Sequence, residues 1–147
     1  MLYAYDLDGV LVDTEQANRE AYLTLGIIPP KNFHQRHWTT WVSGKDHDRK
    51  NKILPMRKNL IKALPMLKFA LAHPGPVYTM CSHPAFDLIM DVVPDMRYMT
   101  TWFVTQEERL NALKNDAPIT YFDDNPEFCK LAAQTEGITV CQVYPSS

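Results

Sequence analysis

Apolar and polar positions along this chain fall into blocks whose period switches repeatedly between that of a strand and that of a helix. Leu2-Tyr3-Ala4-Tyr5 is a short, consecutively apolar block that stops at Asp6-Leu7-Asp8-Gly9. A run of this kind predicts a strand buried on both faces. Thr14 to Leu25 is rich in helix formers and ends at Gly26, ahead of the Pro29-Pro30 break. Short helical pieces are expected at 33–42 and 46–53. The spacing over Met56 to Ala72 predicts one amphipathic helix, with a kink or a new first turn at Pro65. Val77 to Cys81 reads as a second buried strand, and Pro84 opens a helix that runs to Val93. A third strand is expected at Thr101-Trp102-Phe103-Val104, then a helix opened by the capping box Thr105 to Glu108. Pro118 to Phe122 predicts a fourth strand ending at Asp123-Asp124, followed by a helix from Pro126 to Glu136 and a last strand from Ile138 to Val143.

This alternation predicts an α/β fold, a doubly wound and mostly parallel Rossmann-like sheet of about five strands. A parallel sheet brings its carboxyl ends to one edge, where such sheets place their ligands. Asp6 and Asp8 would stand there on the same side of the pleat. Two such charges about 4 Å apart repel by roughly 4 kcal/mol at an effective dielectric of 20, so a cation or a shared proton is expected. Ser82 and Asp123-Asp124 would join them from later strand ends. Ser82, two residues before Pro84, also stands where a helix N-cap would.

On these residues the chain resembles the haloacid dehalogenase superfamily, in its phosphatase branch. Asp6-Leu7-Asp8-Gly9-Val10 matches the first motif, Cys81-Ser82-His83-Pro84 the second, and Tyr121-Phe122-Asp123-Asp124 the fourth. The resemblance implies a phosphoric monoester hydrolase with Asp6 as nucleophile, forming an aspartyl-phosphate, and Asp8 as general acid and base. It implies Mg²⁺ held by Asp6, by the Asp8 backbone carbonyl and by one or both of Asp123 and Asp124. Ser82 would donate to the phosphate, and Gly9, which completes the first motif, would help to bind the substrate beside it. The cation of the third motif is left among Arg109, then Lys114, with Arg97 or a lysine of the insertion as further choices. A phosphomutase, which uses the same two aspartates, and a catalytically silent metal- or phosphate-binding module are the alternatives.

The resemblance assigns 1–13 and 76–147 to the core and 14–75 to a small helical cap. Charge sharpens that division. Residues 31–62 carry nine lysines and arginines against two aspartates, a segment charge of +7, which leaves −9 for the rest of a chain whose net charge is −2. A basic cap over an acidic body suits a small anionic substrate. Phe33, Trp38 and Trp41 lie among those cations and raise a nucleotide, or a nucleic-acid end, as the substrate. With 46% hydrophobic and 22% charged residues the 147-residue chain has an ordinary globular composition. No apolar run approaches the ~20 residues of a spanning helix, and no basic-then-apolar leader opens the sequence. Cys81, Cys129 and Cys141 lack metal-ligand spacing. A cytoplasmic setting without membrane contact is therefore the expectation.

Overall fold

A five-stranded parallel sheet forms the centre, its strands in the order Thr100–Trp102, Val77–Thr79, Leu2–Asp6, Ile119–Asp123 and Ile138–Gln142. The computed structural model describes residues 2–97, 99–103 and 105–144. The strands are β1 (Leu2–Asp6), β4 (Val77–Thr79), β5 (Thr100–Trp102), β6 (Ile119–Asp123) and β7 (Ile138–Gln142). Alternate residues of β1 serve opposite layers, as the period of two requires. Tyr5 packs with Val77 and with Ile89, Met90 and Ala70 on one face. Ala4 packs with Tyr121, Leu113, Phe128 and Ala132 on the other. The first layer is built from α3 (Met66–Ala72) and α4 (His83–Val92), the second from α5 (Gln106–Asn115) and α6 (Pro126–Ala133).

Register fixes what meets at the carboxyl edge. Tyr5 pairs with Phe122, so the next step brings Asp6 level with Asp123. On the other side Asp6 pairs with Tyr78, which leaves Thr79 one residue beyond it. After β1 the Leu7 carbonyl accepts hydrogen bonds from the backbone N–H groups of Val10, Leu11 and Val12, at 3.4, 2.9 and 3.2 Å. This tight turn leads into β2 (Val12–Asp13), which pairs antiparallel with β3 (Lys62–Ala63). Between those two short strands lie α1 (Glu15–Thr24) and α2 (Gly44–Ile53). Ala17 and Ala21 of α1 pack with Leu54 and Ile61 against Leu88 of α4, seating the helical lid on the sheet layer.

Two expected elements differ. The single helix over 56–72 is instead a 3-10 segment (Leu54–Leu60), the strand β3 and then α3. Arg57 breaks the helical path with φ −112° and ψ 18°, and Ile61 turns extended. Lys62 and Ala63 then take their partners from β2, while Pro65 starts α3, as its fixed φ allows. The piece expected at 33–42 forms two separate 3-10 turns, Phe33–Gln35 and Trp38–Thr40. Of the third strand, Val104 lies outside the described residues. No described helix is long and apolar enough to cross a membrane.

Candidate active site

The ends of β1 and β6 place three carboxylates around one point. Asp6, Asp123 and Asp124 each offer an oxygen, and these atoms lie within 4.8 Å of one another. Asp6 and Asp123 are buried. Asp123 is held from three sides: Tyr121 Oη donates to Oδ2 at 2.8 Å, the Asn125 N–H donates to Oδ1 at 2.9 Å, and Arg109 Nη1 stands 3.5 Å from Oδ2. The same Nη1 lies 3.3 Å from Asp6 Oδ1. Arg109 is itself buried in the second turn of α5, its guanidinium 3.8 Å from the centre of the Phe128 ring. Gly9 has φ +86°, and a Cβ there would come within 2.1 Å of Asp124 Oδ2. Only glycine lets the turn after β1 pass this close to the carboxylate.

Electrostatics oppose the crowding. Burial first, then the Asp123 carboxylate, pushes Asp6 well above the usual carboxylate range, while Arg109 pulls it back. Asp124 is pushed up to about 7, again by burial and then by Asp123. Three carboxylates, Asp6, Asp123 and Asp124, crowd around one buried cation, Arg109. A divalent ion would balance the remaining two charges, and an all-oxygen set suits a hard ion such as Mg²⁺. The residues present therefore fit that ion, with Asp6, Asp123 and Asp124 as the side chains to hold it.

Asp8 stands apart from this trio. Its Oδ2 accepts a 2.6 Å hydrogen bond from Thr14 Oγ1, and its Oδ1 is buried with no partner among the described residues. A cavity of about 210 Å³ opens between Asp8 and the trio, walled by Thr79, Gln106 and Arg109 from the sheet edge and by Arg36 and His37 from the lid.

The other expected residues lie elsewhere. Ser82 caps α4, its Oγ accepting the Ala85 N–H at 3.4 Å, and Thr79 takes the place in the cavity wall expected of it. Register explains the difference, because β4 leaves the ladder at Thr79, three residues before Ser82. Lys114 is exposed in the last turn of α5, roughly 140° around the helix from Arg109. Arg109, not Lys114, is the cation at the acids. Arg97 is exposed as well. Reading the sequence missed Thr79, Tyr121 and Lys50. Tyr121 was legible, since two residues before Asp123 on a strand puts it on the same face.

No protein-family model matches the sequence, and no curated protein matches it either. Its shape does have relatives. A hydrolase from Pseudomonas syringae superposes with a TM-score of 0.67 at 16% identity, over 96% of this chain and 82% of that one. A conserved haloacid dehalogenase-like protein of unknown function from Agrobacterium tumefaciens gives 0.61 at 19% identity, over 96% and 81%. CbbY from Rhodobacter sphaeroides, in complex with phosphate, gives 0.62 at 14% identity, over 99% and 87%. With its sheet order, its converging strand-end acids and these neighbours in hand, the chain is seen to have the fold of the haloacid dehalogenase superfamily.

Proposed function

We propose that this protein is a Mg²⁺-dependent phosphatase that hydrolyses a small phosphate monoester through an aspartyl-phosphate on Asp6. The observation that carries the reading is the placement of Asp6 among Asp123, Asp124 and Arg109, with Asp8 lining the same cavity. A phosphoryl group in that cavity would meet the Asp6 carboxylate on one side and Asp8 on the other. Attack by an Asp6 oxygen on phosphorus breaks the ester P–O bond, and the Asp8 proton goes to the departing oxygen. Water then attacks the phosphorus of the aspartyl ester and gives its proton to Asp8. Inorganic phosphate leaves and the Asp6 carboxylate is restored. Arg109 offsets the growing negative charge, and the Thr79 hydroxyl and Gln106 offer donors to the phosphoryl oxygens. Bound Mg²⁺ would screen the carboxylates from the incoming phosphate.

That CbbY of Rhodobacter sphaeroides, a neighbour in fold, binds phosphate supports a phosphoryl ligand for this chain. The nucleotide reading draws support from the lid's cations but little from its rings. Trp38 is stacked on His47, 4.1 Å between centres and 8° from parallel, while Trp41 packs edge-on to Tyr22 and Phe33. Those faces are spent on lid packing. Phosphate release from p-nitrophenyl phosphate tests the central claim. Release is expected with Mg²⁺, is expected to stop on chelation, and is expected to fall by about three orders of magnitude or more in Asp6→Asn. Full activity of that variant refutes the mechanism.

A further inference from the structure

Beside the acidic cavity lies a second one of about 250 Å³, between Asp8 and the lid. Its wall holds Lys50, a lysine only 5% exposed. Lysines are almost never buried unless paired, yet among the described residues no carboxylate lies within 4.0 Å of this ammonium. One of its three N–H donors goes to Asn18 Oδ1 at 2.8 Å, and the Tyr22 ring lies 5.4 Å away. Asn18 is itself fixed, its Nδ2 donating to the Thr14 carbonyl at 3.0 Å and to Thr14 Oγ1 at 3.1 Å. The amide oxygen is therefore aimed at Lys50 by a built arrangement. Burial lowers the ammonium's pKa to about 8, with Asp8 opposing, so the charge persists at neutral pH.

Two more residues that carry N–H donors line the same space. Trp41 Nε1 is buried with no partner among the described residues, and the exposed Arg36 lines both cavities. Asp8 is the one acid in the wall of the second cavity, and its Oδ2 is already engaged by Thr14. Arg109 serves the first cavity, where it is already paired with Asp6 and Asp123. The buried ammonium has one neutral acceptor and no carboxylate beside it, and the orphaned indole N–H has no acceptor, so the desolvation of each is incompletely offset.

We infer that the second cavity receives the leaving part of the substrate and selects one that carries a further anionic oxygen group, a carboxylate or a second phosphate, held by Lys50 with Arg36. This rests on the phosphatase reading, because Asp8 joins the two cavities at the point where the leaving oxygen would depart. It makes Lys50 a specificity-determining residue and disfavours neutral sugar or alkyl phosphates.

Affinity of the Asp6→Asn protein, measured by calorimetry with Mg²⁺, tests the inference without requiring turnover. Two matched pairs serve as probes: 3-phosphoglycerate against glycerol 3-phosphate, and glucose 1,6-bisphosphate against glucose 6-phosphate. In at least one pair the doubly anionic ester is expected to bind roughly tenfold tighter or more. Adding Lys50→Gln is expected to bring that ratio near one, Lys50→Arg to restore part of it, and Arg36→Gln to lower it less. Lys52→Gln, a lid lysine outside the cavity, is expected to retain it. Equal affinities within both pairs, or a ratio unmoved by Lys50→Gln, overturn the subsite. A preserved ratio in a wild-type protein that releases no phosphate would count against the Asp6 chemistry alone and leave the subsite standing.

Discussion

The sheet edge and the lid hold their charges under opposite conditions. At the edge, Asp6, Asp123 and Arg109 are buried, and each carboxylate has its orientation set by neighbouring donors. In the lid most cations are solvated, and the Arg49–Asp46 pair at 3.0 Å has half the arginine side chain in water. Exposed pairs of this type contribute little, whereas breaking a buried one strands a charge. A parallel sheet thus provides a rigid frame in which like charges can be forced together. The lid supplies a diffuse positive field, with Lys50 as its one buried lysine. Under the function proposed above, chemistry belongs to the first region and selection to the second.

Removing a cation from each region puts the contrast at risk. Arg109→Ala is expected to cost about 3–5 kcal/mol in urea denaturation, because Asp6 and Asp123 lose their buried partner. Arg49→Ala in the lid is expected to stay within ~0.5 kcal/mol. Equal losses would erase the distinction. Thr79→Val and Ser82→Ala separate the strand end from the helix cap beyond it. The first is expected to lower kcat/KM by roughly tenfold through a lost hydroxyl. The second is expected to cost ~1 kcal/mol of stability as a lost cap, with kcat/KM retained. The smallest effect concerns His47, whose pKa burial lowers from 6.5 to about 4, with Lys50 adding to the shift. Its neutral ring stabilises the lid above pH 6.5, and that contribution is lost as pH falls through about 4. A change in tryptophan fluorescence over that interval, from the Trp38 stack, is expected and should be absent in His47→Phe.

Where the sequence carried a long or repeated signal, the fold could be read from it. The strands that end in Asp6 and Asp123 are apolar blocks with abrupt polar stops, and both acids lie at the sheet edge. Arg109 lies in the second turn of the helix opened by Thr105, whose Oγ1 accepts the Glu108 N–H at 3.1 Å. Thr79 was obscured because the end of β4 depends on its register with β1 and β5, and Val77 to Ser82 offers several stopping points. β3 was invisible for another reason. A two-residue strand has no period, and its partner β2 lies some fifty residues earlier. Lys50 was not singled out among the nine cations of a basic stretch, since burial of a lysine depends on what packs over it, here Asn18 and Tyr22.

The ribbon of β2 and β3 has a wider consequence. The chain leaves for the lid at Asp13 and returns at Lys62, and these two residues are hydrogen-bonded neighbours. Everything between them is a loop closed at its base, so its length and composition can change while the ends stay in register. A different insertion joined at the same two residues would therefore leave the cluster of Asp6, Asp123 and Arg109 below it in place.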